Sequence, residues 1–151
     1  MTKLGTVDEI LDFAIVSEQE ASDFYTSLAG RVTSASMREV LLGFAKEEQG
    51  HKAKLLAVKA KKSLMGAEKA VLDLKLSDYV LDIEPTDNMD YAGALVLAMK
   101  KEKAAFRLYS DLAATTEDPG LKATLLGLAQ EEAKHKLRFE LEYDDHVLAE
   151  N

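Results

Sequence analysis

Two short segments of this sequence place a glutamate three residues before a histidine. The first reads EEQGHK at 47–52 and the second reads EEAKHK at 131–136, so Glu48 precedes His51 and Glu132 precedes His135. The chain has only three histidines in all. Because residues three apart share one face of a helix, each pair can offer a carboxylate and an imidazole to one metal ion.

Two more glutamates interrupt apolar helix faces elsewhere in the chain. Glu18 follows Ala14 and Ile15, and Glu102 follows Ala98 in the same way. Four buried carboxylates would raise one another's pKa values unless cations neutralise them, and two divalent ions balance four negative charges. One glutamate from each of two helices and a Glu-x-x-His pair from each of the other two form the ligand set of di-iron sites in helical bundles. The sequence therefore predicts a dinuclear metal site with six ligands, namely Glu18, Glu48, His51, Glu102, Glu132 and His135.

Two tyrosines are candidate catalytic residues. Tyr25 and Tyr109 each follow a predicted ligand glutamate by seven residues, which is about two helical turns. Each phenol could hydrogen-bond a ligand or relay an electron or a proton. The alternative is a core aromatic residue whose hydroxyl group is satisfied elsewhere.

The remaining polar residues near the two motifs are weaker candidates. Glu20, Glu47 and Glu131 lie one or two positions away from the ligand faces, so each is expected either in solvent or in support of a ligand. His146, in YDDHVL near the C-terminus, is expected on the surface.

Four segments carry apolar residues at the three- and four-residue spacing of an amphipathic helix. They are expected at about 7–29, 35–62 and 89–114, and from 119 onward. Ser34 and Asp118 are the predicted N-caps of the second and fourth helices, and Pro119 takes the first position of the fourth. The predicted apolar faces include Leu56 in the second helix and Phe106 in the third.

The connections between these helices predict the topology. The first and second helices, and likewise the third and fourth, are joined by short links that make antiparallel neighbours. Residues 63–87 are long enough to cross the bundle, and 72–82 could form a short helix or an extended piece there. An offset of 84 aligns 14–56 with 98–140 without a gap. We therefore expect residues 1–151 to form a single all-α domain, an antiparallel four-helix bundle of two helical hairpins joined by a long crossover.

Charge and cysteine content make several classes of function improbable. The net charge is −8, whereas a nucleic-acid binder needs a basic face, so neither nucleic acid nor an anionic membrane is an expected partner. With no cysteine, these residues can hold no disulfide and no thiolate-ligated iron. No apolar run approaches the ~20 residues of a membrane span, and the N-terminus lacks a signal-peptide core. The expected location is the cytoplasm.

The motifs resemble those of the rubrerythrin branch of the ferritin-like superfamily. The resemblance rests on SEQEASDFY at 17–25, EEQGH at 47–51, KEKAAFRLY at 101–109 and EEAKH at 131–135. It implies a ferritin-like fold, two irons on the six matching residues, and reduction of hydrogen peroxide in defence against oxidative stress. The chain departs from rubrerythrins in two ways. It has no cysteine-rich rubredoxin domain, and Ala105 stands where an additional glutamate is usual.

Three functions are compatible with these observations. The first is reduction of peroxide or dioxygen with electrons from an external donor, such as a rubredoxin-like protein. The second is a ferroxidase that stores or detoxifies iron, and the third is a non-catalytic metal-binding bundle. The ligand set suits iron or manganese and, less well, zinc. A homodimer formed through an exposed helix face is the expected assembly.

Overall fold

The computed structural model describes residues 4–64, 71–75, 79 and 89–150. Its four helices are α1 (Val7–Ala29), α2 (Ala35–Leu64), α3 (Tyr91–Thr115) and α4 (Pro119–Glu150). Two short strands, β1 (Leu4–Thr6) and β2 (Val71–Lys75), pair antiparallel. The prediction of four helices is confirmed, and three of the predicted starts coincide with those of the structure. The start of α3 was predicted two residues too early.

Side-chain caps explain where the helices begin. The Ser34 hydroxyl accepts a hydrogen bond from the Met37 backbone N–H at 3.1 Å, and the Asp118 carboxylate accepts one from Gly120 at 2.9 Å. The Asp90 carboxylate accepts one from the Gly93 N–H at 2.7 Å. Such a bond satisfies an N–H group that has no partner within the helix. Asp90 therefore sets the start of α3 at the next residue.

The helices pack as two hairpins. α1 packs along α2 and α3 packs along α4, while contacts of α1 with α3 and of α2 with α4 join the hairpins. The predicted ferritin-like four-helix bundle is confirmed. Two residues predicted on apolar faces are instead exposed, Leu56 by 48% and Phe106 by 40%. Each lies at the edge of the predicted apolar face. One residue turns a helix by about 100°, so in α2 Leu55 takes the buried position and the next residue does not.

The predicted crossover is described only in part. Residues 71–75, which overlap the segment predicted as helical or extended, form a strand paired with the N-terminal strand β1. Tyr79 is buried and donates a hydrogen bond to the Asp111 carboxylate of α3 at 2.6 Å. The rest of the predicted crossover, 65–70, 76–78 and 80–88, lies outside the described residues.

The apolar core consists of two clusters, with a polar layer between them. One cluster gathers Ile10, Leu11, Leu55 and Leu125, and the other gathers Leu28, Leu41, Leu95 and Phe139. Buried side chains of both clusters hold the helices in place on either side of the polar layer, which keeps its residues at fixed positions.

Two further expectations concern the outside of the bundle. His146 was predicted to be an exposed surface residue, but it is half-buried, and its ring meets Tyr91 edge-on at 5.1 Å between ring centres. Among the described helices, none combines the length and the apolar character that crossing a membrane requires.

Candidate metal centre

The six predicted ligands lie together in the polar layer. All are at most 3% exposed. They fall into two groups that share two glutamates. One group contains Glu18, Glu48, His51 and Glu132, and the other contains Glu48, Glu102, Glu132 and His135. Within each group one atom from every residue lies within 4.8 Å of the others. We call these the His51 group and the His135 group.

The local sequence explains why these side chains point inward. Glu18 has the buried Ala14 one turn before it and the buried Tyr25 two turns after it, on the same face of α1. Glu102 lies likewise between Ala98 and Tyr109 on α3. Small alanines beside each glutamate leave room for its carboxylate to turn toward the bundle axis.

Each ligand presents one atom that no neighbour satisfies. Among the described residues, seven buried side-chain atoms lack a hydrogen-bond partner, and six of them belong to the six predicted ligands. In each histidine the unsatisfied atom is Nδ1. The Nδ1 of His51 lies 3.0 Å from an oxygen of Glu132, and the Nδ1 of His135 lies 3.4 Å from an oxygen of Glu48. In both cases the geometry is poor for a hydrogen bond. Unsatisfied buried polar atoms are costly, and a cluster of them is what metal coordination removes. The donor set therefore fits two bound cations.

The other nitrogen of each imidazole is held by a glutamate from the opposite helix. His51 Nε2 lies 2.5 Å from a carboxylate oxygen of Glu131, and His135 Nε2 lies 2.7 Å from one of Glu47. With Nε2 held, Nδ1 faces the other candidate ligands, and the hydrogen bond would raise its basicity toward a bound metal. Both glutamates support ligands, which was one of the two roles left open. The duplicated Glu-Glu doublet of EEQGH and EEAKH was the signal for it.

Each of the two tyrosines contacts a glutamate of the other hairpin. The Tyr25 hydroxyl of α1 donates a hydrogen bond to Glu102 of α3, and the Tyr109 hydroxyl of α3 donates one to Glu18 of α1. In each glutamate the other oxygen is the unsatisfied atom. Each tyrosine therefore fixes the orientation of one ligand, and its catalytic role stays a prediction.

Burial and mutual repulsion raise the pKa of most of the carboxyl groups. Burial raises the pKa of Glu18 to about 7, and burial with the charge of Glu48 raises that of Glu102. Burial and the charge of Glu102 hold the pKa of Glu132 well above its usual range. Burial also raises the pKa of Glu48, but contacts with both imidazoles outweigh it and lower that pKa to about 2. Without metal, three of the four carboxyl groups therefore bind protons more tightly than usual.

The imidazoles show the complementary shift. Burial lowers the pKa of each histidine, but contacts with the surrounding carboxylates outweigh it. The pKa of His51 is raised far above its ordinary value, and that of His135 is raised to about 10. Burial beside a carboxylate also raises the pKa of Tyr25 and Tyr109, so both phenols keep the protons that they donate. In this pocket, protons on the carboxyl and imidazole groups supply the positive charge that metal ions would replace.

A cavity of about 280 Å³ reaches the carboxylates between α1 and α3. All four ligand glutamates line it, and neither ligand histidine does. Its walls are formed largely by small or apolar side chains, among them Phe13, Ala14, Ala21, Ala104, Ala105 and Leu108. The cavity therefore reaches the site from its carboxylate side, with Ala104 and Ala105 in its wall.

The comparisons with known proteins agree with this geometry. A sequence model of the rubrerythrin family matches residues 9–143. Among solved structures, the chain is similar to a hypothetical protein from Pyrococcus furiosus, with 24% identity, a TM-score of 0.72, and 92% of this chain and 89% of that chain covered. It is also similar to a Thermotoga maritima protein described provisionally as a ferritin-like diiron-carboxylate protein. That match has 17% identity, a TM-score of 0.81, and coverage of 95% and 97%.

These structural likenesses indicate the fold, and no relative with a curated description matches the sequence. The family match spans most of the chain and includes all six predicted ligands and both tyrosines. The chain therefore belongs to the rubrerythrin family.

Proposed function

We propose that this protein is a non-haem dinuclear iron oxidoreductase that reduces hydrogen peroxide, or dioxygen, with electrons from an external donor. The observation that carries the proposal is the position of the cavity. It ends at the four buried ligand glutamates, each of which has an unsatisfied oxygen, and neither ligand histidine lines it. A closed set of ligands would suit a structural metal, whereas a catalytic site keeps a position open for a substrate.

The chain's own residues would do three things in this reaction. Glu18, Glu102 and the two Glu-x-x-His pairs would hold two irons, which when ferrous supply the two electrons that convert hydrogen peroxide and two protons into two waters. The hydrogen bonds from Tyr25 and Tyr109 keep Glu102 and Glu18 oriented, and each of these glutamates belongs to only one of the two groups. The apolar wall of the cavity limits the amount of water beside the carboxylates.

The electrons would come from outside these 151 residues. The sequence contains no cysteine, so it cannot itself supply the thiolates of a rubredoxin-type centre. A rubredoxin-like protein is the expected donor, because a one-electron carrier that acts twice restores the two ferrous ions. Iron is the proposed metal, with manganese or zinc as competitors for the same ligands.

Outside the four ligand glutamates, the side chains that line the cavity carry no net charge, which favours a small neutral substrate over passage of Fe(II). Its lining includes one exposed acidic residue, Glu20, and one half-buried basic residue, Lys101. A route that delivers Fe(II) to a ferroxidase centre would attract it with a single negative sign of charge. A volume of about 280 Å³ also admits hydrogen peroxide easily, since a water molecule takes about 30 Å³ of the liquid.

The test is an anaerobic iron titration followed by rapid mixing. The protein is loaded with Fe(II), the bound iron is counted, and the near-ultraviolet absorbance of the oxidised centre is followed after adding peroxide or air-saturated buffer. We expect two irons per chain and much faster oxidation by peroxide than by air. Faster oxidation by air would favour a ferroxidase or an oxygenase.

The matched variants are Glu18→Ala at the site and Glu20→Ala at the cavity wall. Iron binding that stays below two per chain, and is unchanged by Glu18→Ala, would exclude the dinuclear site. Two tightly bound metals that never change oxidation state would identify the non-catalytic alternative.

A further inference from the structure

The cavity beside the carboxylates is larger than hydrogen peroxide requires. Its volume of about 280 Å³ corresponds to about nine water molecules of the liquid, and hydrogen peroxide would replace about two of them. Binding sites for small organic molecules begin at about this size, and most of their lining is apolar. The cavity therefore has room for a substrate with more atoms than hydrogen peroxide.

One part of the cavity follows the internal repeat. Beside the four ligand glutamates, its lining includes three pairs of residues that match at the offset of 84. These pairs are Ser17 with Lys101, Glu20 with Ala104, and Ala21 with Ala105. This part lies over the candidate metal ligands and is formed equally by α1 and α3. It contains both charged lining residues that are not candidate ligands.

The rest of the cavity extends toward one end of the bundle. Tyr25 of α1 contacts Glu102 of α3, and Tyr109 of α3 contacts Glu18 of α1, so the two helices run antiparallel. The turn before Glu18 and the second turn after Glu102 therefore lie at the same end. Residues of these turns line an extension of the cavity together with one buried tyrosine that packs against them. We call this extension the side arm, and its residues are Phe13, Ala14, Tyr79, Leu108 and Tyr109.

The side arm has no counterpart at the other end of the repeat. The residues that match Phe13, Ala14, Leu108 and Tyr109 do not line the cavity, and they are Leu97, Ala98, Phe24 and Tyr25. All four of these are buried in the other core cluster. A site that only had to admit hydrogen peroxide to two equivalent groups would not need an extension on one side.

The lining of the side arm is suited to a hydrocarbon group. The Tyr79 hydroxyl donates its hydrogen to the Asp111 carboxylate at 2.6 Å, and the Tyr109 hydroxyl donates its hydrogen to Glu18. Both phenols therefore present mainly their rings to the cavity, beside Phe13 and Leu108. A polar group placed there would lose hydrogen bonds to water, whereas an apolar group would gain by leaving water.

We propose that the side arm selects an uncharged organic hydroperoxide as substrate. Its O–O group would lie at the four ligand glutamates, and its apolar group, of tert-butyl to cumyl size, would lie in the side arm. This inference rests on the proposed function, because the same two ferrous ions supply the electrons. The O–O bond breaks, two electrons and two protons are taken up, the oxygen attached to carbon leaves as the alcohol, and the other oxygen leaves as water.

The first test measures binding without chemistry. The full chain without metal is titrated with cumyl alcohol, the alcohol formed from cumene hydroperoxide, and the methyl signals are followed by NMR. We expect saturable shifts at Ala14 and Leu108 and none at Ala98, which matches Ala14 but does not line the cavity. Leu108→Phe, which fills the side arm, should abolish the shift at Ala14. No shift at Ala14, or equal shifts at Ala14 and Ala98, would overturn the proposal.

The second test compares two peroxides. Protein loaded with Fe(II) is mixed rapidly with cumene hydroperoxide or with hydrogen peroxide. Leu108→Phe should slow oxidation by cumene hydroperoxide at least about tenfold and leave oxidation by hydrogen peroxide nearly unchanged, because only the larger molecule needs the side arm. Leu126→Phe makes the same change at an exposed position of α4 and should affect neither reaction. Iron content and far-ultraviolet circular dichroism check the site and the fold of each variant.

The products test the reaction itself. We expect one cumyl alcohol for every two ferrous ions oxidised. Acetophenone in its place would mean one-electron cleavage through an alkoxyl radical and would overturn the proposed step. Equal slowing of both peroxides by Leu108→Phe, or no slowing of either, would overturn the role of the side arm. If hydrogen peroxide oxidises the iron and cumene hydroperoxide does not, this inference is wrong and the proposed function stands. If neither peroxide oxidises it, the proposed function fails as well.

Discussion

The two helical hairpins supply matching sets of candidate ligands but surround them differently. The imidazole of His135 stacks on Phe44, with 4.0 Å between ring centres and 25° between ring planes. At the position that matches Phe44, the other hairpin has Leu128, which is buried in the aliphatic cluster. The Tyr25 ring likewise lies 5.2 Å from Phe139, whose match in the repeat is Leu55. At these two positions aromatic rings pack beside the His135 group, whereas the matching positions of the repeat are leucines.

The cavity follows the same division. Tyr109, which supports Glu18 of the His51 group, lines it, whereas Tyr25 does not. Leu108 lines the cavity, and its match in the repeat, Phe24, does not. Two sites with equivalent ligands can thus differ in access and in rigidity, because those properties depend on the neighbours of the ligands. We expect the His51 group to be the more accessible of the two.

The largest effect on the two groups should come from substituting single candidate ligands, which changes the number of irons bound. Glu48 belongs to both groups, so Glu48→Gln should lower iron binding from two per chain to less than one. Glu18→Gln and Glu102→Gln each affect a single group and should each leave one iron bound. Elemental analysis after desalting gives the count, and Glu20→Gln at the cavity wall is the control. Loss of both irons from each single-group variant would mean that the groups do not bind independently.

The sequence predicted the burial and the grouping of the six candidate ligands because a polar residue on an apolar helix face is a local signal. The faces of α1 and α3 identified Glu18 and Glu102, and the repeat supported both. The partners of Tyr25 and Tyr109 were not predictable, because a hydrogen bond between hairpins depends on how the helices are placed side by side. The start of α3 depended on the Asp90 carboxylate, a cap that periodicity does not indicate.

Metal affinity should fall as the pH falls in both groups. A metal must displace the proton of His135, whose pKa is about 10, so each pH unit below that costs the His135 group about tenfold in affinity. The His51 group must displace the proton of His51 and, below a pH of about 7, that of Glu18, so its affinity should fall more steeply below pH 7 than above it. The raised pKa of Glu102 should steepen the fall in the His135 group in the same way.

Titrations with Mn(II) of two variants, each of which leaves one group intact, measure the pH dependence of each group separately. Glu102→Gln leaves the His51 group intact and Glu18→Gln leaves the His135 group intact. Calorimetry in buffers of different ionisation enthalpy counts the protons released by each variant. Affinities that do not change between pH 6 and pH 8 would contradict the proton–metal exchange in both groups.

The two glutamates that hold the imidazoles should have matched effects. Glu131→Gln leaves His51 with a weaker acceptor, and Glu47→Gln does the same for His135. Each substitution should weaken metal binding in its own group by about 10–100-fold, since the imidazole loses both orientation and basicity. Competition with a chelator measures the two affinities. If either variant weakened metal binding equally in both groups, the two imidazoles would not be supported independently.

The smallest effect should come from exchanging the aromatic and aliphatic residues that differ between the surroundings of the two groups. Phe44→Leu places in the first hairpin the residue found at the matching position of the second, and should cost about 1 kcal/mol in the free energy of unfolding. It also removes the ring that stacks on His135, so metal should leave the His135 group several-fold faster. Urea denaturation measures the first effect, and stopped-flow transfer of metal to a chelator measures the second. Unchanged release would show that the aromatic cluster stabilises the fold without shielding the site. The reciprocal Leu128→Phe should slow release from the His51 group if the missing ring, and not the cavity, is the reason for its greater access. No change there would assign the difference to the cavity alone.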